Sequence, residues 1–380
     1  MKKPTIRDVA ALAGVAPSTV SFVLNRTKGP RISAGTQKAV LRAAAELNYV
    51  PQYMASVMRS GTSRTIGMVA CYDMERMYFQ DLITGIVTAA RAEGYGVLIC
   101  DGPGQTGQPD FLQYHQSGRI DGVVFLASAH SEWSRDEDEL IAALRENGVP
   151  FVTVYGHTRL PGVEYVTIDF YQCGFAACEH LLARGVRRPG YLAPLDWRDE
   201  APFSPRTELD KQQGYADALA RAGGGQPHVY HLPRSFDGPR RDQVREQLRR
   251  AVEEDRVDGF VTCWATYGLQ LISLAGELGW RIPEDFRIIS LDTVPYLDYT
   301  VPSLSSMHLP FHDIAVRATR DLIRHHLGDP GNPDRAETVL LPGRLMVRRS
   351  SGPEPSGRQT DGEPTVADGA AAGSSYRPGR

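Results

Sequence analysis

The sequence predicts a small all-α head with two helices around a tight turn, then a hinge helix, then a two-lobed α/β body built on two doubly wound parallel sheets. Three observations carry this reading. Residues 5–25, TIRDVAALAGVAPSTVSFVLN, have the pattern of two short helices separated by a turn. From residue 64 onward, short apolar β-rich runs alternate with amphipathic helical stretches, as in parallel strands covered on both faces. The charge is also split. Residues 1–64 carry ten Lys/Arg against Asp8 and Glu46, a net of +8, so a chain of net charge −3 leaves −11 for the remainder. A basic head on an acidic body is the electrostatic footprint of a phosphate-binding module.

In the head, Thr5 caps the first helix and Asp8 answers it as a capping box. Ile6, Val9, Ala10 and Ala13 recur at helical spacing as one apolar face. Gly14 stands where the chain leaves the helix, and the left-handed geometry needed there is cheap for glycine. Pro17 suits the first turn of a second helix, where its missing N–H has no partner to lose. Val20, Val23 and Leu24 face inward along that helix, leaving Ser18, Thr19, Ser21, Phe22 and Asn25 outside. Small hydroxyl and amide groups on the outer face of a second helix are the form of a major-groove reader; an ordinary αα-hairpin is the plainer alternative. The following loop carries Arg26, Lys28 and Arg31, placed for phosphates. Ser33 caps a third helix running to Tyr49, with Val40, Leu41, Ala44 and Leu47 on one face. Pro51 starts a short helix that ends at Gly61–Ser63. It is too short to hold its shape alone in water and is expected to fold on docking.

At 380 residues, with 42% apolar and 23% charged side chains, the chain has material for two or three domains with substantial cores. The five cysteines (Cys71, Cys100, Cys173, Cys178, Cys263) are scattered and form no CxxC pair. They read as buried free thiols of a reducing compartment, not as disulfides or a zinc site. Lys2 and Lys3 precede no apolar run, and no stretch reaches eighteen apolar residues. A cytoplasmic protein with no membrane partner is expected.

Five blocks make a more specific pattern: T-I-x-D-V-A (5–10), A-G-V-A-x-S-T-V-S (13–21), L-N (24–25), L-N-Y-x-P (47–51) and S-x-T-I-G (63–67). In their order and spacing the chain, from residue 4 to about 349, resembles transcription regulators of the lactose-repressor (LacI) family. The resemblance implies a dimer whose second helix enters the major groove. Its hinge helices pair in the minor groove and wedge an apolar side chain between base pairs. Carried over position by position, Thr5, Thr19, Ser21 and Asn25 match phosphate- and backbone-contacting positions. Pro17, Ser18 and Phe22 match those that vary with operator sequence, Tyr49 lies in the L-N-Y-x-P block, and Ala55 and Met58 match the minor-groove positions. Ala16 stands where the family has Ser, and Met58 where it has Leu. Pro17 and Phe22 offer base edges no hydrogen bond, which leaves Ser18 and Thr19 as polar readers.

In the body, strands are expected at 64–70, 95–100, 122–127 and 150–156, and in a second set at 165–169, 188–193, 228–232, 258–263 and 287–292. Helices fall between them, and residues 304–310, 311–327, 338–342 and 345–349 complete the lobes. The family fold is that of periplasmic sugar-binding proteins, in which the chain crosses between lobes three times. The crossings are expected near 161, 293 and 328. The resulting organisation is a head over 1–49, a hinge over 50–63 and a body over 64–350, with one lobe from 64–160 and 294–327, the other from 162–292 and 329–350, and a disordered tail over 351–380.

Ligands of open α/β sheets sit beyond the carboxyl ends of strands, so an effector cleft is expected between the lobes. Tyr78 matches an effector-contacting aromatic of purine-binding relatives, Phe236 a stacking aromatic, and Asp292 an acidic ligand anchor. Tyr155 and Trp264 also end strands. Where sugar-binding members carry an Asn/Asp-Asp pair this chain has Trp264-Ala265, and where they carry Arg it has Lys211, a point charge without a bidentate fork. Gly102, Gly104 and Gly107 spell GxGxxG, but after the second strand of the sheet and just before Pro109, so a βα loop is the better reading than a dinucleotide site. No GxSxG, HExxH or P-loop occurs. The expected function is therefore that of a regulator, not an enzyme, with no metal or cofactor. Its partners are a pseudo-palindromic double-stranded DNA operator, a sugar or related metabolite, and further copies of itself, as a homodimer or alternatively a tetramer. A solute-binding protein without regulatory DNA binding is the alternative.

Overall fold

The computed structural model describes residues 4–25, 32–49, 61–70, 77–100, 109–127, 134–156, 160–195, 205–233, 240–328 and 338–352. Several sequence expectations lie outside the described residues: Ala55 and Met58 of the hinge, Arg26, Lys28 and Arg31, Cys71, the three glycines of 102–107, Phe236, and the tail from 353, together with the side chain of Asn25.

The head consists of α1 (Ile6–Ala13), α2 (Pro17–Asn25) and α3 (Ala34–Glu46). The Asp8 carboxylate accepts from both the backbone N–H and the hydroxyl of Thr5, each at 2.7 Å. Gly14 takes φ +66°, and the Ser33 hydroxyl caps α3 by accepting from the Thr36 N–H at 3.1 Å. The core is made of small residues, Val9, Ala10, Val20, Val40, Ala43 and Ala44. One expectation fails: Leu41 is 54% exposed, and Ala43 fills the inward place. The ridge that meets α1 is Val40–Ala43–Ala44, the i, i+3, i+4 set, which turns the larger Leu41 outward.

The first sheet of the body has the order β11-β5-β4-β3-β1-β2, from β1 (Thr65–Ala70), β2 (Gly96–Cys100), β3 (Gly122–Ala127), β4 (Phe151–Tyr155), β5 (Tyr165–Asp169) and β11 (Val339–Pro342). The second has the order β12-β10-β9-β8-β6-β7, from β6 (Pro189–Pro194), β7 (His228–Leu232), β8 (Gly259–Thr262), β9 (Arg287–Ser290), β10 (Ser305–His308) and β12 (Arg344–Met346). Pairings are parallel except that of β10 with β12. Strands such as GVVFLA of β3 are buried along their whole length, as a sheet with helices on both faces requires. Those helices are α4 (Met77–Ala92), α5 (Asp110–Gln116), α6 (Ser134–Glu146) and α11 (Phe311–Asp321) on the first sheet. On the second they are α7 (Phe170–Ala183), α8 (Arg206–Arg221), α9 (Arg240–Glu253) and α10 (Ala265–Leu278). Among the described residues no single helix is long and apolar enough to cross a membrane.

The lobes are assembled differently from the sequence expectation. β5 pairs with β4, so residues 165–169 belong to the first lobe and the first crossing follows Asp169, not residue 161. β10 pairs with β9, so the second crossing falls at 309–310 instead of 293. β11 pairs with β5 and β12 with β10, so the third crossing is at Gly343 instead of 328. Periodicity locates a strand but not its neighbour. Pro161-Gly162, which reads as a linker, is a turn with Gly162 at φ +70°.

The end of the body is pinned beyond the expected boundary at 350. Ser350 and Ser351 are fully buried in a 3-10 turn over Arg349–Ser351. The Ser350 hydroxyl donates to the Ile288 carbonyl at 2.7 Å, and the Ser351 hydroxyl lies 2.7 Å from that of Ser305 and 2.9 Å from His180 Nε2. Burial, with Arg184 and Arg287 nearby, depresses the His180 pKa to about 4. The neutral imidazole is therefore favoured on folding, and the unfolded chain binds the extra proton between pH 6.5 and 4. Stability present above pH 6.5 should be lost as the pH falls towards 4. The loss is about 2 kcal/mol after allowance for partial exposure. Urea titrations at pH 7 and pH 4.5 should show this difference in the wild type, and a markedly smaller one in His180→Gln.

Candidate functional site

The head carries the first site. α1 and α2 are bent by 102° at the Gly14 turn, within the ~90–120° of DNA-reading helix pairs. The Ala16 carbonyl starts α2 by accepting from Thr19 and Val20 N–H at 2.9 and 3.2 Å, so the helix begins without the hydroxyl that Ser would place there. Pro17 and Ser18 at its start are exposed, as is Thr5; Thr19, Ser21 and Phe22 are half-buried, and Val20 is fully inside. Tyr49 is half-buried and closes α3, its N–H on the Ala44 carbonyl at 2.8 Å. The expected polar reader Ser18 thus stands on the open face, with a hydroxyl that both donates and accepts.

The second site lies where the strands of both sheets end. Tyr78, Tyr155 and Phe311 form one aromatic cluster: Tyr78 stacks on Phe311 with centroids 4.8 Å apart and lies 4.9 Å from Tyr155. Tyr155 ends β4 with φ +78°, a left-handed conformation that is costly for a non-glycine residue and is found where surrounding structure or function enforces it. Phe170, the first residue after the first crossing, meets Tyr155 edge-on at 6.1 Å. The Lys211 ammonium sits over the Phe170 ring, 5.3 Å from its centre. Among the expected cleft residues, the structure thus brings Tyr78, Tyr155 and Lys211 into one continuous array.

Lys211 is only 6% exposed and Glu208, one helical turn before it, 2%. Their charged groups are 3.9 Å apart, and Lys211 Nζ donates to the Cys263 carbonyl at 3.4 Å. Glu208 Oε1 accepts from the Tyr191 hydroxyl at 2.7 Å and the Gln212 amide at 3.1 Å. Burial would lower the Lys211 pKa, but Glu208, Cys263, Tyr155 and Asp292 outweigh it and hold the group charged, above its ordinary value. Burial also lifts Glu208 and drives the Cys263 thiol far above the range of a nucleophile. Asp292 caps α10, accepting from the Ala265 N–H and, at 2.9 Å, from the Ser290 hydroxyl. Trp264 is the residue before that helix, half-buried, with its ring 5.5 Å from Tyr267.

Lys211 is held in place by backbone contact between α7 and α8. A Cβ at Gly174 would lie 2.0 Å from the Lys211 carbonyl oxygen, and one at Gly214 2.0 Å from that of Tyr171. Phe170, Phe311, Glu208 and Tyr191 were not among the sequence candidates. The two phenylalanines follow crossings that the sequence does not mark. Glu208 was legible in principle, being at i, i+3 from Lys211 on one helix face.

Comparison with known proteins finds relatives for both the head and the body. Residues 5–52 match the family described as bacterial regulatory proteins, lacI family. Residues 63–243 match periplasmic binding proteins and sugar binding domain of LacI family, and residues 178–351 a periplasmic binding protein-like domain. The chain is 28% identical to the HTH-type transcriptional repressor PurR of Mannheimia succiniciproducens, over 91% of this chain and 98% of that one. It is 27% identical to the protein of the same name from Photobacterium profundum, with the same coverage. Among solved structures, the complex of the transcriptional regulator CelR with cellobiose superposes with a TM-score of 0.61 at 25% identity, over 91% of this chain and 99% of that one. The lac repressor dimer bound to operator and the anti-inducer ONPF superposes at 0.70 and 20% identity, over 93% and 100%, which speaks for the fold. With a capped helix-turn-helix head, two lobes joined by three crossings, and family matches running from residue 5 to 351, this chain belongs to the LacI family of DNA-binding transcription regulators.

Proposed function

We propose that the protein is a cytoplasmic repressor that binds a pseudo-palindromic operator as a homodimer and answers to a small uncharged metabolite held between its lobes. The observation that carries the effector reading is the array from Tyr78 to Lys211. It offers the half-buried rings of Tyr78 and Tyr155, backed by the buried Phe170 and Phe311, and its buried cation is already answered by Glu208. A ligand meets there tyrosine rings backed by a buried pair with no net charge, which suits a ring with hydroxyl groups better than a phosphate or carboxylate. Tyr78, Tyr155, Trp264 and Asp292 are assigned to the ligand directly, with Phe236 as a further stacking residue. Lys211, buried and paired with Glu208, steadies Phe170 in the cleft wall and is not an anion site. Thermal-shift measurement on the full-length protein, with cellobiose, other neutral sugars and nucleobases set against sugar phosphates, tests this. Stabilisation by the neutral set is expected; stabilisation confined to the phosphates contradicts it.

On the DNA side, Ser18 and Thr19 are assigned to base edges, with Pro17 and Phe22 reading shape or thymine methyls. Thr5, Ser21, Asn25 and Tyr49 are assigned to the backbone, and Ala55 with Met58 to the minor groove. Met58→Gly should weaken binding to the specific site by more than ~10-fold while sparing binding to unrelated duplex, as an apolar wedge requires. Equal losses on both DNAs in a gel-shift titration would refute the wedge.

A further inference from the structure

At the opposite end of the first sheet, the chain enters the body through a sharply bent root. Gly61 takes φ +72° and Arg64, a non-glycine residue, φ +46°. Ser63 between them is 2% exposed. Asp121, the residue before β3, accepts from the Ser63 N–H on Oδ1 at 2.7 Å and from the Arg64 N–H on Oδ2 at 2.8 Å, and its own N–H donates to the Thr65 carbonyl at 2.8 Å. Successive backbone N–H groups closing on one carboxylate form a nest, and such charge-assisted bonds hold an otherwise unfavourable backbone turn. On the other side, the Gly96 N–H donates to the Arg64 carbonyl at 2.8 Å.

The backbone next to Asp121 is closely packed. A Cβ on the next residue, Gly122, would lie 2.8 Å from the Pro150 carbonyl oxygen and 3.2 and 3.3 Å from Leu327 and Leu322. Those leucines belong to the π-helical turn (Leu322–His326) and the residue after it, which close α11, the helix that enters this lobe straight from β10 of the other. The backbone that carries the carboxylate is therefore closely packed, and the element behind it arrives from the second lobe.

We infer that Asp121 is a positioning residue for operator binding: its carboxylate fixes the direction in which the chain before residue 61 leaves the body, and thereby the separation of the two heads. This rests on the dimeric operator-reading function proposed above. A residue acting only on stability would change the fraction of folded protein but not the preferred half-site spacing, so spacing is the quantity to measure.

The test uses full-length protein, an operator enriched from random duplexes, and two derivatives with one base pair inserted or removed between the half-sites. The wild type should bind both derivatives on the order of 100-fold more weakly than the operator. Asp121→Ala should reduce that discrimination to within about 10-fold, while a base substitution inside a half-site costs it as much as it costs the wild type. Asp121→Asn keeps the shape but sets an amide donor against one N–H. It is expected to relax the spacing preference as well, and it decides the matter if the alanine variant does not fold. Full wild-type discrimination in the folded variants overturns the inference. A wild type indifferent to spacing overturns the dimeric reading itself, and the inference with it.

Discussion

Glu208→Leu should destabilise the body by about 3–5 kcal/mol, because it removes the partner of a buried ammonium and leaves Lys211 uncompensated. The pair is closed off from water, with Lys211 at 6% and Glu208 at 2% exposure, so solvent screening cannot soften the loss. The leucine also takes away the acceptor of the Tyr191 hydroxyl, itself fully buried. For a body of this size the midpoint of thermal unfolding should fall by roughly 10 °C. The double variant Glu208→Leu with Lys211→Met should recover the part due to the unpaired ammonium, since a buried ion pair exchanged for apolar groups is often close to neutral, and leave the part due to the Tyr191 hydroxyl. A single variant as stable as wild type would mean that Lys211 reaches water or deprotonates at little expense. The role given to this pair in the cleft would then be withdrawn.

Gly214→Ala should be nearly as damaging, at about 3 kcal/mol or more. The added Cβ would lie 2.0 Å from the Tyr171 carbonyl oxygen and 2.8 Å from the Phe175 nitrogen. Both are backbone atoms of α7, so no rotamer change relieves the clash and the two helices must separate. That separation displaces Lys211 from Phe170, and effector affinity should fall along with stability. Gly276→Ala in α10 is the control, since a Cβ there meets nothing within 4 Å. It should be neutral or stabilising by about 0.5–1 kcal/mol, through propensity alone. Calorimetry on the two variants separates helix crowding from the general effect of replacing a helical glycine.

Much of this was legible in the sequence because it depends on local rules. Gly14 at φ +66°, the Asp8–Thr5 cap and the Ser33 cap are each fixed within a few residues, and each lies where it was expected. The wholly apolar strands and the helices between them follow for the same reason. The lobe crossings were not legible. Whether residues 165–169 pair with β4 or open the second sheet is settled by long-range packing, and no turn signal at 161 or 293 encodes it. That error hid Phe170 and Phe311, which become site residues only once the crossings are placed beside them. The ends of Lys211 and Asp292 were hidden in another way. Sequence shows a charge but not whether the fold already answers it, and here Glu208 and the Ala265 N–H do so.

The most direct test of the regulatory reading is selection of binding sites by full-length protein from a random duplex pool at near-physiological salt, followed by sequencing. A dimeric reader of the kind proposed should enrich a two-fold symmetric site, with its strongest positions where Ser18 and Thr19 meet base edges. Binding that enriches no sequence and appears only when the salt is lowered, with and without the ligands that stabilise the protein, would contradict it, since electrostatic contact with phosphates alone behaves in that way.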